Sequence, residues 1–457
     1  MSGSRESSAQ AGSGGADDLV GIGFGPSNLA LAIAIADHNR RDPGQALQTG
    51  FLEQQAAFGW HRGMLLEGAT MQVSFLKDLV TMRDPSSPFS FLVYLQQRGR
   101  LADFINQKSF FPTRIEFHDY FEWCAAEFAG DVAYGQRATE IRPVVVDGRV
   151  EAVDVVSRST TDPADEQVRR TRNLAVGTGL TPRLPEGVEL GDRVWHTRDL
   201  IFRAPALTDR PHRRFTVVGA GQSAAEAVDY LHRTFPDAEV CAVFSRYGYS
   251  PADDSPFANR IFDPDAVDHF FDAPESVKQD LLDYHGNTNY SVVDGDLIEQ
   301  LYRTVYQEKV QGRERLRILN TTRLTGVEQG PDGARAMIRS LTTGEEFALD
   351  SDAVVLATGY RPVDPRPLLG ELADACLTDG QGRLRVDRDH RILTADHVDV
   401  GIYLQGGTEH THGITSSLLS TLAVRSGEIC DSLLLRRTAR DLRTDFGRGA
   451  QVGVAAG

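Results

Sequence analysis

One stretch near the N-terminus, VGIGFGPSN at residues 20–28, constrains the fold more than any other part of the chain. A short apolar run leads into it, Gly21 and Gly23 permit a tight turn, and an amphipathic helical pattern follows over residues 27–37. Such a turn brings backbone amides and the positive end of a helix dipole to a pyrophosphate group. The stretch therefore predicts a dinucleotide-binding unit, although Pro26 stands where the usual pattern has its third glycine.

An acidic residue at the end of the next strand completes this first unit. The apolar run over residues 47–53 ends in Glu53. A carboxylate at that place accepts a hydrogen bond from an adenosine ribose hydroxyl. Strand, glycines, helix and terminal acid at this spacing favour a dinucleotide site over an ordinary glycine-rich turn.

A second unit begins near residue 210. The segment FTVVGAGQSA at 215–224 is a strand with a GxGxxA turn, a helix is predicted over 224–235, and the strand over 239–244 ends in Ser245 and Arg246. A hydroxyl and a guanidinium in place of the acid suit a 2′-phosphate, which predicts a preference for NADPH over NADH. The alternative is an exposed arginine that merely follows a strand.

The two units together predict FAD in the first and NADPH in the second, with hydride transfer from nicotinamide to flavin. The strand over 353–359 echoes the strand that ends at Gly179, and the two are expected to mark crossings between the domains. The predicted class is α/β, with two Rossmann-like domains and a small, mainly helical substrate-binding region. The predicted boundaries are a disordered tail at 1–16, the FAD domain at 17–208 and 352–435, the NADPH domain at 209–255 and 318–351, the helical region at 256–317, and a mobile tail at 436–457.

Composition excludes several classes of function. The 457 residues are 41% hydrophobic and 25% charged, with a net charge of −16, which disfavours a nucleic-acid or anionic-membrane binder. No apolar run is long enough to span a bilayer and no signal peptide is visible, so a cytoplasmic protein is expected. Four widely spaced cysteines form no CxxC pair. His410 and His412 lack carboxylate or cysteine neighbours at ligand spacing, so no metal is expected.

Several polar residues are ambiguous from the sequence alone. The segment over 71–81 has little helical periodicity and is consistent with a loop that places Gln72 and Lys77 near a cofactor, but the pattern itself favours a surface lysine. The asparagines within NTNYS at 287–291 suit caps and turns. Residue patterns alone do not decide between a functional and a purely structural role for these side chains.

Seven motifs cover most of the chain, from about residue 18 to 431. They are GIGFGPSNLALA at 21–32, FGWHRGMLLEGATMQVSFLKDLVTMRDPSSPFSFLVYL at 58–95, VVGAGQSAAEA at 217–227, SPADDSPFANRIFDP at 250–264, NTNYSVVD at 287–294, LATGYRP at 356–362 and THGITSSLLSTLAVRSGEI at 411–429. On these motifs the chain resembles the flavin-dependent N-hydroxylating monooxygenases of siderophore biosynthesis, specifically the L-ornithine N5-monooxygenases of the lysine N6-hydroxylase/ornithine N5-oxygenase family.

The resemblance implies roles for residues that match the motifs. Lys77 holds the substrate carboxylate, and Asn259 and Asn289 hold the amino-acid end, with Asn289 near the nicotinamide ribose as well. Gln72 lies beside the reactive flavin ring. A serine of the His-Gly motif contacts substrate, and among Thr415, Ser416 and Ser417 it is assigned here to Ser416. The cofactor-binding residues are then Gly21, Gly23, Gly25, Pro26, Ser27, Glu53, Trp60, His61, Gln72, Gly219, Gly221, Gln222, Ser223, Arg246, Thr358 and Gly359, with Arg114 a weaker candidate.

The resemblance also implies a mechanism and partners. NADPH reduces FAD, reduced flavin and O₂ give a C4a-hydroperoxyflavin, and the neutral side-chain amine of L-ornithine attacks it while NADP⁺ stays bound. A homotetramer built from dimers is expected. The alternatives are an L-lysine N6-monooxygenase or other diamine hydroxylase and, in another class, an FAD/NADPH reductase that passes electrons to a disulfide or a protein partner.

Overall fold

The structure is a computed structural model that describes residues 15–209, 211–288 and 290–454. Most of the predicted N-terminal tail therefore lies outside the described residues. The strands are β1 (Leu19–Ile22), β2 (Thr49–Glu53), β3 (Val132–Tyr134), β4 (Gln136–Val146), β5 (Arg149–Ser159), β6 (Glu166–Thr171), β7 (Asn173–Val176), β8 (Leu180–Pro182), β9 (Val194–His196), β10 (Arg214–Val218), β11 (Glu239–Val243), β12 (Leu316–Leu319), β13 (Thr322–Gln329), β14 (Ala334–Ser340), β15 (Glu346–Ser351), β16 (Ala353–Leu356), β17 (Tyr360–Pro362) and β18 (Gly401–Leu404).

Helices connect and cover these strands. They are α1 (Pro26–Arg41), α2 (Phe91–Gln97), α3 (Leu101–Gln107), α4 (Arg114–Ala126), α5 (Leu200–Arg203), α6 (Gln222–Thr234), α7 (Pro264–Asp272), α8 (Glu275–His285), α9 (Gly295–Gln311), α10 (Arg366–Leu369), α11 (Glu409–His412) and α12 (Leu422–Val454). Short 3-10 helices add further turns, including those over 258–262 and 414–417. No helix among the residues described is both long and apolar enough to cross a membrane.

The two predicted dinucleotide-binding units each form a five-stranded parallel sheet. The first has the strand order β18-β7-β1-β2-β3, and the second has the order β12-β11-β10-β16-β9. The central strands β1, β7, β10 and β16 are almost entirely buried, as expected for parallel strands covered on both faces. The predicted α/β class with two Rossmann-like domains is confirmed.

The chain crosses between the sheets where two glycines precede a short antiparallel pair. Gly179 (φ 71°) leads from β7 into β8, and Gly359 (φ 78°) leads from β16 into β17. Strands β8 and β17 pair with each other. Because each follows the carboxyl end of a sheet strand, the carboxyl edges of the two sheets meet at this joint.

The sheet membership of two strands differs from the predicted boundaries. Strands β9 (Val194–His196) and β16 (Ala353–Leu356) were expected in the first domain, but both pair within the second sheet. The reason is that β16 is the counterpart of β7: each lies beside the first strand of its own sheet, so β16 belongs to the second sheet and the chain returns to the first sheet only after it, beyond Gly359.

The helix after the first turn is buried nearly all round, whereas the sequence predicted an amphipathic helix. Residues 28–35 of α1 are all buried. The face that was expected to meet solvent is covered by α12, through a shared cluster that includes Leu31, Ile35 and Leu433.

The C-terminal segment also differs from the prediction. Two 3-10 helices precede α12, which was expected to start near residue 416 and starts at Leu422. The tail from 436 was expected to be mobile, but α12 continues to Val454. Its first turns beyond 435 are held because Arg436 donates to the Asp399 carbonyl at 2.6 Å and Arg437 to the Ala46 carbonyl at 2.9 Å. Residues 455–457 lie outside the described part.

The turn after β1 predicts a sharp difference between two glycine substitutions. Gly23 has φ 81°, and a Cβ there would lie 2.3 Å from the Gly177 carbonyl oxygen. Gly23→Ala should therefore lower the free energy of unfolding of the FAD-free protein by roughly 1–3 kcal/mol. Denaturant titration would measure this value.

Gly25→Ala is the matched control. Gly25 has φ −83°, and a Cβ there would meet no atom within 4 Å. Its FAD-free unfolding curve should stay close to wild type. Equal losses in the two variants would contradict the close approach at Gly23.

Candidate active site

A cleft of about 1130 Å³ opens at the carboxyl edge of the first sheet. The predicted cofactor residues that line it come from the first turn, the end of β2 and the loop after it. They are Gly23, Gly25, Pro26, Ser27, Glu53, Trp60 and His61. Since a dinucleotide is long and flat, a cleft of this size beside a helix N-terminus has the shape that such a ligand needs.

The first turn is held in place by its own backbone and by one buried side chain. Asn28, 1% exposed, donates to the Gly23 carbonyl at 2.6 Å and to the Ile22 carbonyl at 3.3 Å. Gly21 does not line the cleft. A Cβ at Gly21 would lie 2.2 Å from the Phe51 ring. Its role is close packing of the strand, while Gly25 and Pro26 begin α1 and leave their backbone open to the cleft.

Glu53 lies buried at the end of β2, as its place in the sequence predicts. Its carboxylate accepts hydrogen bonds from the Phe24 amide at 2.7 Å and from the Gln55 amide at 2.8 Å. A carboxylate has about four acceptor positions. Two remain for a ribose hydroxyl, so the residues present fit an adenosine dinucleotide.

His61 brings a neutral ring to the wall of the cleft. The residue has a left-handed backbone (φ 48°), and its ring meets the Trp60 ring edge to face at 4.7 Å. The residue is exposed to the cleft, and protein atoms surround that part of the cleft. Desolvation, with a smaller contribution from the positive charge of Arg114, lowers the pKa of His61 to about 4. The ring can therefore donate or accept one hydrogen bond without adding charge.

Lys77 is half-buried and faces the segment that carries Asn259, in contrast to the surface-lysine alternative. Its ammonium lies 5.9 Å from the centroid of the Phe262 ring. Burial lowers the pKa of Lys77, and the nearby Asp263 carboxylate partly opposes that effect. Gln72, by contrast, is exposed and does not line the cleft, so its place beside the flavin stays a prediction.

The other predicted substrate residues lie on short 3-10 helices. Asn259 and Phe262 both lie on the 3-10 helix over 258–262, and the side-chain amide of Asn259 donates to the Asp254 carbonyl at 2.7 Å. That helix packs against the one over 414–417, which carries Ser416. Lys77, Asn259 and Ser416 thus come from three adjoining segments. Asn289 lies outside the described residues.

The three hydroxyls of the His-Gly motif face different surroundings. Ser417 lines the cleft. Thr415 and Ser416 instead line a small buried cavity next to Pro264, and the Ser416 hydroxyl has no hydrogen-bond partner among the described residues. A buried hydroxyl without a partner is costly, but the cavity beside it measures only about 10 Å³, so the structure does not bring Ser416 into the cleft.

The second unit repeats the first turn with different side chains. Gly219 (φ 142°) would place a Cβ 2.3 Å from the Ala357 carbonyl oxygen. Gly221 begins α6, whose first turn contains Gln222 and the half-buried Ser223. The Gln222 side chain accepts from the Asp294 amide at 2.8 Å, which ties this turn to the loop before α9.

Arg246 is exposed beyond the end of β11, where the sequence places the phosphate ligand. Its guanidinium donates to the Ser291 carbonyl at 2.8 Å and retains other N–H groups for an anion.

Thr358 and Gly359 occupy the joint between the sheets and do not line the cleft. The Thr358 hydroxyl donates to the Arg183 carbonyl, and the Gly359 carbonyl accepts from His196 at 3.1 Å.

Residue patterns missed a salt bridge that joins the two units. Arg114, at the start of α4, binds both carboxylate oxygens of Glu226 on α6 at 2.8 and 2.9 Å and also donates to the Met64 carbonyl. Both side chains are largely buried. Arg114 was expected at the cofactor cleft, which it does not line. No local signal marks a pair 112 residues apart.

Thiol and metal chemistry find no support in the part of the chain that the structure describes. All four cysteines are free and buried, and burial raises the pKa of Cys241 and Cys376 to about 11 and that of Cys430 to about 12. No group of three or more metal-binding side chains occurs there.

Comparison with known proteins agrees with this geometry. Residues 16–362 match the model of a family described as L-lysine 6-monooxygenase/L-ornithine 5-monooxygenase. The L-ornithine N(5)-monooxygenase of Burkholderia cepacia is 44% identical over 87% of this chain and 89% of that protein.

Two solved structures are similar over nearly their whole length. The ornithine N-hydroxylase KtzI of Kutzneria sp. 744, with reduced FAD, NADP⁺ and L-ornithine, is 47% identical with a TM-score of 0.88 and covers 93% of this chain and 100% of that one. The ornithine hydroxylase PvdA of Pseudomonas aeruginosa is 38% identical with a TM-score of 0.86, covering 92% and 99%.

The position of Arg246 predicts a change in nicotinamide preference. Loss of a charge-assisted contact to a 2′-phosphate should raise the KM for NADPH about tenfold or more in Arg246→Ala and leave the KM for NADH nearly unchanged. Steady-state flavin reduction with each nucleotide measures the two values. Arg313→Ala is the control, because Arg313 is also exposed but follows α9, before β12 begins. Equal losses for both nucleotides in Arg246→Ala would show that Arg246 does not read the phosphate.

Proposed function

The chain belongs to the L-lysine 6-monooxygenase/L-ornithine 5-monooxygenase family, and we propose that it uses NADPH and O₂ to convert L-ornithine to N5-hydroxy-L-ornithine. The observation that carries the proposal is the joint at β8 and β17, where the carboxyl edges of both dinucleotide-binding sheets meet. A nicotinamide held by one sheet can there reach a flavin held by the other.

Each cofactor has its own set of residues. FAD binds along the first turn, with its pyrophosphate at the start of α1 and its adenosine ribose at Glu53. NADPH binds along the second turn, with Gln222 and Ser223 beside it and Arg246 at the 2′-phosphate. Bound FAD, once reduced by NADPH, supplies the activation of O₂ and the transfer of one oxygen atom to the amine.

The protein's own residues position the substrate. The Lys77 ammonium pairs with the α-carboxylate of ornithine, while Asn259, Asn289 and the Ser416 hydroxyl hold the amino-acid end. The half-buried position of Lys77 beside the segment that carries Asn259 supports this assignment. With the α-carbon end held, the length of the side chain sets the position of the reacting nitrogen.

This geometry favours ornithine over lysine. Lysine is longer by one methylene, which displaces its amine by about an ångström, and an error of that size can lower the rate by roughly 10²-fold. Lysine or another diamine is therefore the second candidate substrate. A disulfide reductase is disfavoured, since the four buried cysteines form no redox pair.

Three wider proposals accompany the reaction. The hydroxylamine serves a hydroxamate siderophore or a related natural product. The enzyme is cytoplasmic, in keeping with its free cysteines. It assembles as a homotetramer, a dimer of dimers, and light scattering of the purified protein would test this.

Product analysis tests the reaction itself. Purified enzyme with NADPH is incubated with ornithine, lysine, and shorter and longer diamines, and the hydroxylamine, peroxide, O₂ and NADPH are quantified. Amine hydroxylation requires one NADPH and one O₂ per hydroxylamine, with ornithine giving the highest yield. Peroxide or a reduced acceptor as the only product would favour the reductase alternative.

Lys77→Ala should uncouple oxygen consumption from hydroxylation. Loss of the charge pair should raise the ornithine KM by about ten- to a hundredfold. NADPH-dependent flavin reduction should persist, because the nicotinamide site is built mainly from the second unit. Peroxide should replace hydroxyornithine as the main product, and the hydroxylamine formed per NADPH oxidised measures this change.

Lys278→Ala is a matched control for that experiment. Lys278 also lies over a phenylalanine ring, 5.7 Å from the Phe271 centroid, but it belongs to α8, which carries none of the proposed substrate residues. Its coupling should equal that of wild type. Near-normal coupling in Lys77→Ala at ordinary ornithine concentration would remove Lys77 from the substrate site.

The pH dependence should separate catalysis from binding. The reacting amine must be neutral, and a free alkyl ammonium has a pKa of about 10.4, so the hydroxylation rate should rise toward mildly alkaline pH. Burial lowers the pKa of Lys77, so its ammonium loses its proton at a lower pH than a free lysine and the ornithine KM should rise on the alkaline side. Flavin reduction should not follow this trend. A hydroxylation rate and a KM that are both flat across this range would contradict the argument.

A further inference from the structure

A buried arginine, Arg425, lies near the start of α12. Arg425 is 3% exposed and lines the small buried cavity that also contains Ser416. One terminal nitrogen donates to the Ser416 carbonyl, and the other donates to the Ser27 hydroxyl at 3.2 Å. Its Nε has no hydrogen-bond partner among the described residues.

The charge of Arg425 is not neutralised by a carboxylate of the described chain. The nearest acid that acts on it is Glu428, one turn later on α12, but no salt bridge of 4.0 Å or less joins the two. Glu428 is already held by Arg388 through two hydrogen bonds of 2.8 and 2.9 Å and by His390 at 3.2 Å. Burial lowers the pKa of Arg425 to about 10, so the group is still charged at neutral pH.

An uncompensated buried cation is costly unless an anion comes close to it. Ser27, which accepts the hydrogen bond from Arg425, lies in the first turn of α1 and lines the cleft. Helix N-termini of this kind bind phosphate groups. We propose that Arg425 is a positioning residue whose charge, acting through the Ser27 hydroxyl, compensates the pyrophosphate of FAD. The proposal rests on the cofactor assignment of the proposed function.

This role makes an unusual prediction about stability. In the FAD-free protein the Arg425 charge opposes folding, whereas in the FAD complex it stabilises the bound anion. Arg425→Gln retains a side-chain donor but removes the charge. It should raise the dissociation constant of oxidised FAD by about ten- to a hundredfold. Without FAD its unfolding temperature should equal or exceed that of wild type.

The experiment compares the full-length wild-type chain with Arg425→Gln and Arg425→Lys. The FAD dissociation constant is measured by flavin fluorescence at two salt concentrations, and the unfolding temperature is measured with and without added FAD. Arg425→Lys keeps the charge and should restore much of the affinity and its salt dependence. The midpoint potential of the bound flavin should be unchanged, because a pyrophosphate contact is equal in both redox states.

Arg83→Met is the matched structural control. Arg83 is a largely buried arginine near α12, but it pairs with buried Asp37 on α1 at 2.6 Å. Its loss should lower the unfolding temperature equally with and without FAD.

The same equal loss in Arg425→Gln, or failure of its FAD-free chain to fold, would overturn the proposal. A shifted midpoint potential with unchanged affinity for oxidised FAD would also overturn it, since the charge would then act on the flavin ring. Normal affinity of Arg425→Gln for oxidised FAD would overturn the proposal and leave the proposed function standing, whereas a wild-type chain that binds no FAD would overturn the proposed function itself.

Discussion

Both dinucleotide-binding units depend on one close approach of backbone to backbone. A Cβ at Gly23 would lie 2.3 Å from the Gly177 carbonyl oxygen, and a Cβ at Gly219 would lie 2.3 Å from the Ala357 carbonyl oxygen. The flanking hydrogen bonds repeat as well. In the first unit the Gly23 N–H donates to the Leu52 carbonyl at 2.8 Å and the Gly177 N–H donates to the Ile22 carbonyl at 2.8 Å. In the second unit the Gly219 N–H donates to the Val243 carbonyl at 3.0 Å and the Ala357 N–H donates to the Val218 carbonyl at 2.8 Å. Since no side chain fits between them, the turn and the end of the neighbouring strand are positioned together. The cleft at the carboxyl edge is a consequence of that arrangement.

Two kinds of connection hold the units together. The β8–β17 pair is covalently continuous with both sheets, and the Arg114–Glu226 salt bridge joins α4 to α6. Removing one partner of such a buried pair leaves an uncompensated charge, which is why both members must be present together. Glu226 also accepts from the Gln222 side chain at 3.0 Å. The contact between the units therefore reaches a residue expected to bind NADPH.

The features that the sequence predicted are those determined within a short segment. The two glycine turns and the terminal carboxylate of Glu53 follow from local backbone demands. The features it missed depend on distant partners. The burial of α1 requires α12, and the pairing of β9 with β16 depends on the second sheet, in which β16 also pairs with β10. Periodicity within α1 carries no information about a helix nearly 400 residues later.

The two ends of the candidate site are built differently, and this bears on selectivity. The cofactor end rests on parallel sheets whose central strands are almost entirely buried. The proposed substrate end rests on the segment around Lys77 and on 3-10 helices over 258–262 and 414–417, whose hydrogen-bond geometry is poorer than that of an α-helix. If the substrate carboxylate binds there as proposed, its distance to the flavin is set by packing between separate short segments. A shift of these segments by the length of one methylene would change which amine reaches the flavin without altering either dinucleotide fold. The sequence motifs predict the cofactors well because each glycine turn belongs to one rigid element. They predict ornithine less well because the distance from the substrate carboxylate to the flavin depends on several elements at once.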